Sequence, residues 1–147
     1  MHDNPDRELI AEAVRAGLTD VPVRSNPVFE DLAARILSAE SGRVTLRFTV
    51  QERARQSDGI VHGGIISTML DGAMAFAILS RLPRGESTAT VSLTVNFLGA
   101  ARQGDCDVEA YVERLGKCVA FARASLVSDG KAVATSTAIL AVHRQNV

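Results

Sequence analysis

The stretch SDGIVHGGIISTMLDGAMAFAIL, residues 57–79, gathers the residue types in this chain that could do chemistry. His62, Gly63 and Gly64 open a long apolar run, and the carboxylate of Asp71 stands in its middle. If the run is a helix, its first turn carries backbone N–H groups without intrahelical acceptors, and the helix dipole adds partial positive charge there. Glycines let another group approach those donors, a geometry that suits an oxyanion or a polarised carbonyl oxygen. Asp71 reads as a general base or nucleophile, because an ionised carboxylate in apolar surroundings costs several kcal/mol unless it is paired or used.

Each feature has a plainer reading beside this one. Two glycines also serve a tight turn and close packing. A buried Asp71 can be bonded to Ser67, Thr68 or nearby backbone, and the single imidazole of His62 can bond backbone at the helix start. Spacing adds a constraint. Asp71 follows Gly63 by eight residues, about 12 Å along a helix axis at ~1.5 Å per residue. A carbonyl held at the first turn therefore cannot touch Asp71 of the same helix. For the two to act together, two antiparallel copies must lie side by side with Gly63 of one opposite Asp71 of the other, which is a two-fold dimer. A helix that is apolar nearly all round must also be buried nearly all round, and a second copy would cover the face that one sheet leaves bare.

The elements that must position these residues follow from period and punctuation. Asn4, Pro5 and Gly17 mark the N-cap, first position and end of a helix whose apolar residues Leu9, Ile10, Ala13, Val14 and Leu18 share helical spacing. TDVPVRSNP reads as a linker. In GRVTLRFTV, Val44, Leu46, Phe48 and Val50 alternate with polar residues, the period of a half-buried strand. Residues 32–40 supply its hairpin partner, turning at Ser41-Gly42. The long helix runs from Gly63 to about Ser80. From Thr88 alternation returns, with Ala89, Val91, Leu93, Val95 and Phe97 on one face and Thr88, Thr90, Ser92, Thr94 and Asn96 on the other. Three further strands follow, with Asp129-Gly130 as a hairpin turn. Strands grouped around one helix predict an α+β fold: an antiparallel sheet wrapped around a long central helix, with an extra N-terminal helix.

Composition bounds the partners. The 147 residues make one domain, 1–147, with helix and linker over 1–25, and 22% charged residues with net charge −1 give no bias towards nucleic acid or anionic membrane. Cys106 and Cys118 are too few for a disulfide framework and match no metal spacing, so they read as reduced core thiols. His2 and His143 have no partners at metal-site spacing. The charged N-terminus lacks a secretory signal pattern, and Ser67, Thr68, Asp71 and Gly72 interrupt the apolar run too often for a membrane span, so the expected location is cytoplasmic.

From about Leu32 to His143, and most specifically in GIVHGGIISTMLDGA, the chain resembles the hot-dog fold acyl-CoA thioesterases of the 4HBT superfamily, above all the phenylacetate-degradation (PaaI-like) type. The resemblance implies an acyl-CoA hydrolase that releases a free aryl or medium- to long-chain acid. It implies a site shared across a homodimer, assembled as a dimer of dimers to a homotetramer, and no cofactor beyond the coenzyme A of the substrate. It implies that the Gly63 amide polarises the thioester carbonyl, that Asp71 attacks or activates water, that Gln56 holds the water or acyl group, and that His62 steadies the loop. Gly64 and Thr90 become candidate substrate-binding residues, although on a regular strand Thr90 is equally a surface or subunit-packing residue. Gln56 paired with Asp71 mixes two subtypes, and Ala75 stands where one of them has a hydroxyl, so the acyl class stays open. Arg81, Arg84 and Arg102 are candidate contacts for coenzyme A phosphates, or plain solvated surface. The alternative from another class is a non-catalytic acyl-CoA-binding module or sensor. A hydratase would need an Asp and His pair that the spacing does not supply.

Overall fold

A computed structural model describes residues 2–102 and 104–144. Helix α1 spans Pro5–Ala16, capped by the Asn4 side chain and closed by Gly17 at φ 61°. A two-residue strand β1 (Val21–Pro22) and a short helix α2 (Pro27–Asp31) follow. Strands β2 (Arg35–Glu40) and β3 (Arg43–Val50) make a hairpin whose turn glycine, Gly42, has φ 84°. A 3-10 turn (Glu52–Ala54) then leads to the central helix α3 (Gly63–Leu79) and to strands β4 (Glu86–Phe97), β5 (Gly104–Leu115), β6 (Val119–Ser128) and β7 (Lys131–Arg144).

One antiparallel sheet results, in the order β1-β2-β3-β5-β6-β7-β4. It wraps around α3, so that Met69, Leu70, Met74 and Ile78 of the helix are fully buried with Leu46 and Phe48 of β3, Leu126 of β6 and Leu140 of β7. Each such side chain contributes about 1.5–3 kcal/mol of burial free energy. The alternation in β3 is realised, with Val44, Leu46, Phe48 and Val50 all buried. Asp129 and Gly130 both have positive φ, 55° and 72°, as the β6–β7 turn requires.

Three expectations need correction. The linker is not structureless, since it contains β1 and the start of α2. Asn26 caps α2 by accepting from the Val28 and Phe29 amides, with Pro27 in the first turn, repeating the Asn4-Pro5 arrangement of α1. Cys106 is a buried thiol whose pKa burial pushes up, but Cys118 is exposed, beside the β5–β6 turn, and is no core residue. The strict alternation expected for β4 is broken by a bulge between Thr90 and Ser92. Thr90 pairs with Leu140, and Leu93, Val95 and Phe97 pair with Ala138, Ser136 and Ala134, all buried. Directly opposed residues share a sheet face. The extra residue, Val91, thus puts Thr90 on the same, helix-facing side as Leu93, Val95 and Phe97.

The part of α3 that the sheet leaves uncovered is closed partly from within the chain. Helix α1 packs on α3 through buried Ile10 and Ala13. Phe29 of α2 lies directly over Gly72, where an added Cβ would stand 1.7 Å from its ring. A stripe along α3 stays open or half-open: Gly64, Thr68, Asp71 and Ala75, successive at helical spacing. No helix among the described residues is long and apolar enough to cross a membrane.

Candidate active site

Asp71 occupies this stripe and is half-buried, not enclosed as its apolar sequence setting implies. Its Oδ1 accepts a hydrogen bond of 2.7 Å from the Thr90 hydroxyl. Ser67 and Thr68, the alternative partners, are engaged elsewhere, their hydroxyls donating to the Gly63 and Gly64 carbonyls at 2.8 and 2.9 Å. Thr90 reaches Asp71 because the bulge at Val91 turns it inward, the use of a bulge to re-aim one side chain. Asp71 and Thr90 share a cleft of about 300 Å³, walled on the far side by Asp6 of α1 and by Asn26, Val28 and Phe29.

At the other end of the stripe, the loop before α3 is fastened on both sides. The Val61 amide donates to the Ala101 carbonyl at 2.8 Å, the His62 amide to the Ala54 carbonyl at 3.1 Å, and Arg55 bridges Val61. Gly59, at φ 86°, makes the turn that returns the chain from Gln56 to His62. The His62 carbonyl accepts from the Ile65 and Ile66 amides, while its exposed imidazole does not cap the helix. Among the described residues the Gly63 and Gly64 amides meet no acceptor, and the first turn carries no acidic side chain. Two donors at the positive end of a 17-residue helix are thereby left for an external oxygen.

The two glycines differ. An added Cβ on Gly63 would come within 3.1 Å of the Phe97 ring at the end of β4, so close packing and open donors coexist there. Gly64 has nothing within 4 Å of that position. Gln56 is exposed on the same hairpin as His62, at the Gly63 end. Its side chain and the His62 imidazole are thus brought to one end of α3, and Asp71 and Thr90 together lie about 12 Å further along.

Of the arginines, Arg81 lies at the far end of α3 with its aliphatic stem over Gly42, and Arg84 is in the loop beyond. Arg102 stands beside Gly59, on the loop that delivers His62. Sequence reasoning missed Asp6, Asn26, Val28, Phe29 and Phe97 as neighbours of the site. The repeated Asn-Pro dipeptide was the available signal for the α2 wall.

Comparisons with known proteins find relatives over most of this chain. A family model described as the thioesterase superfamily matches residues 58–135, which includes the loop, the whole of α3 and Thr90. Acyl-coenzyme A thioesterase 13 of Homo sapiens is 30% identical over 111 residues, 72% of this chain and 79% of that protein. A crystal structure of a thioesterase family protein from Silicibacter pomeroyi superposes with a TM-score of 0.80 at 32% identity, covering 92% of this chain and 99% of that one. A phenylacetic acid degradation-related protein from Ralstonia eutropha gives a TM-score of 0.78 at 28% identity, over 90% and 98% of the two chains. The sheet wrapped around α3 is the hot-dog fold of these proteins.

Proposed function

We propose, from the premise that this chain belongs to the thioesterase superfamily and is a thioesterase, that its substrate is an acyl-CoA and that two chains complete each site. The carrying observation is the Asp71–Thr90 pair on an open helical stripe, near whose other end the Gly63 and Gly64 amides meet no acceptor among the described residues. One chain cannot bring these ends together, because they are about 12 Å apart on one rigid helix. An antiparallel second helix across the stripe brings Gly63 of one chain to Asp71 of the other, twice. The contact would centre near Ser67 and Thr68, halfway between Gly63 and Asp71. There the hydroxyls are already bonded to their own helix, so a close contact leaves no polar group unmet. The exposed apolar side chains Val91, Phe97 and Leu98 along the sheet edge beside the stripe favour the same partner.

In such a site the thioester oxygen accepts from the Gly63 and Gly64 amides of one chain, which stabilise the charge that develops on it. Thr90 holds Oδ1 of Asp71 in the other chain, leaving Oδ2 to attack the carbonyl carbon or to take a proton from an attacking water. The sulfur departs as thiolate, a better leaving group than an alkoxide because thiols are far stronger acids than alcohols. Gln56 and His62, carried on the loop beside Gly63, position the water and the acyl end. The residues need no metal or organic cofactor for these steps.

The test is thiol release from a panel of aryl and aliphatic acyl-CoAs by wild type and Asp71→Ala. Release that falls by ~10²- to 10⁴-fold in the variant supports the reading. Saturable binding with no release by wild type would instead make the chain a binding module or sensor. Full activity in the variant would remove Asp71 from the mechanism.

A further inference from the structure

The two open amides at the start of α3 belong to peptide groups whose carbonyls are each held by more than one donor. The Gly63 amide shares its peptide with the His62 carbonyl, which accepts from the Ile65 and Ile66 amides at 3.0 and 3.1 Å. The Gly64 amide shares its peptide with the Gly63 carbonyl, and that oxygen accepts from the Ser67 hydroxyl at 2.8 Å. A first-turn carbonyl also receives the helix's own bond from the amide four residues on, so the hydroxyl is a second donor there.

Thr68 makes the same bond one residue further along, to the Gly64 carbonyl at 2.9 Å. Hydroxyls in helices often bond back one turn in this way, and the bond alone is local helix chemistry. The two differ in the peptide on which each falls. The amide of the Gly64–Ile65 peptide already donates to the His62 carbonyl. The amide of the Gly63–Gly64 peptide meets no acceptor among the described residues. A donor on a carbonyl draws electron density from the peptide nitrogen and makes its N–H a stronger donor, the polarisation that runs along chains of hydrogen bonds. Ser67 therefore strengthens an amide that is open, and Thr68 one that is engaged.

We propose that Ser67 is a positioning residue for thioester hydrolysis. Through the Gly63–Gly64 peptide it orients and polarises the Gly64 amide for the oxygen on which charge develops. This rests on the thioesterase site proposed above. Asp71 takes its own hydrogen bond from Thr90, so the two hydroxyls serve opposite ends of the chemistry. Because the Ser67 hydroxyl is turned onto its own helix, it keeps this role with a second chain packed across the stripe.

The experiment measures kcat and KM on the fastest acyl-CoA of the panel for wild type, Ser67→Ala, Ser67→Val, Ser67→Thr and Thr68→Ala. Two-dimensional amide NMR spectra accompany the kinetics, with mass in solution and thermal melts as checks on assembly and folding. An oxyanion donor contributes about 10²- to 10³-fold to kcat, and a bond on its peptide strengthens it by roughly 10–30%. Ser67→Ala and Ser67→Val should thus lose ~2- to 8-fold in kcat with KM near wild type. Ser67→Thr, the shape of the valine variant with the donor restored, should regain the rate, and Thr68→Ala should keep it. The Gly64 amide proton should move upfield in Ser67→Ala, and the Ile65 amide proton in Thr68→Ala instead. Wild-type kcat in Ser67→Ala, an equal loss in Thr68→Ala, a threonine variant no faster than the valine one, or an unmoved Gly64 resonance would overturn the role and leave hydrolysis by Asp71 intact. No thiol release by wild type from any substrate would overturn both.

Discussion

Thr90 Oγ1 donates to Asp71 Oδ1 at 2.7 Å, joining β4 to α3 on the stripe of the helix that the sheet does not cover. The bond exists because one extra residue, Val91, shifts the register of β4 against β7. It fixes the rotamer of the carboxylate and commits one of its oxygens, so that the other is the one available to chemistry.

Thr90→Val keeps the shape of the side chain and removes the donor. A hydrogen bond to a charged group contributes about 1.5–3 kcal/mol, so kcat is expected to fall by ~10- to 100-fold. KM should change little, because Thr90 acts on Asp71 and not on the acyl tail. Thr90→Ser should restore most of the rate. Steady-state kinetics of the two variants check this, and a Val variant with wild-type kcat would show that the bond only ties strand to helix.

The shared site predicts complementation. Proline is favoured at the first position of a helix, and His62, at φ −55° and ψ 134°, already has the backbone that precedes a proline. Gly63→Pro therefore deletes one donor with α3 intact, and the flexible Phe97 ring can give way. Mixed and allowed to exchange subunits, inactive Gly63→Pro and Asp71→Ala chains should regain about a quarter of wild-type sites, since half of the reassorted dimers are mixed and each has one intact site. Thiol release before and after mixing is the measurement. No recovery in demonstrably mixed dimers would place Gly63 and Asp71 in different mechanisms.

What the sequence made legible, and what it hid, divides along physical lines. The caps of α1 and the alternation of β3 are local signals, and they appear in the structure at the residues that carry them. The glycine-to-Asp71 spacing is likewise local; Asp71 lies on the uncovered stripe that Gly64 opens, and Gly63 lies beside it under Phe97. The β4 bulge was hidden because its extra residue is an apolar valine, so Thr-Val-Ser-Leu still reads as unbroken alternation. Only pairing with β7 reveals the shift, and that is a tertiary fact. Five-residue α2 is too short to show a period, and its position against Gly72 depends on the whole core. The expectation of an enclosed Asp71 treated the apolar run as uniformly buried, whereas α1 and α2 cover only part of it.

Gly72 should be intolerant of even one methyl group. An alanine Cβ there would sit 1.7 Å from Phe29 Cζ, and Phe29 cannot retreat from between Phe48 and Phe76. Overpacking of this kind costs about 1–3 kcal/mol and outweighs the ~1 kcal/mol that alanine gains over glycine in a helix. Denaturant melts should show Gly72→Ala less stable than wild type. Adding Phe29→Leu should recover part of the loss, as coupled neighbours do. An alanine variant as stable as wild type would mean that α2 is loosely held.

The last prediction concerns acid. Asp3, 3% exposed, is held at about pKa 2 from an ordinary 3.8, chiefly by hydrogen bonds from Arg7 and with help from the Gly85 and Asn4 amides, which outweigh its desolvation. The pair fastens α1 to the loop after α3, since Arg7 also donates to the Leu82 carbonyl at 3.2 Å. A carboxyl whose folded pKa lies below its unfolded one stabilises the fold fully above the unfolded value, and the contribution disappears as pH falls from about 4 to about 2. Arg7→Ala strands a buried carboxylate and should cost on the order of 3 kcal/mol near neutral pH. In Asp3→Asn the loss of stability between pH 4 and pH 2 should be shallower than in wild type. Because α1 also supplies Asp6 to the wall of the cleft, both variants should loosen α2, and hydrogen exchange at the Val28 and Phe29 amides is expected to rise with them. Unchanged exchange at those amides in a destabilised Arg7→Ala would show that α2 is held by Phe29 alone.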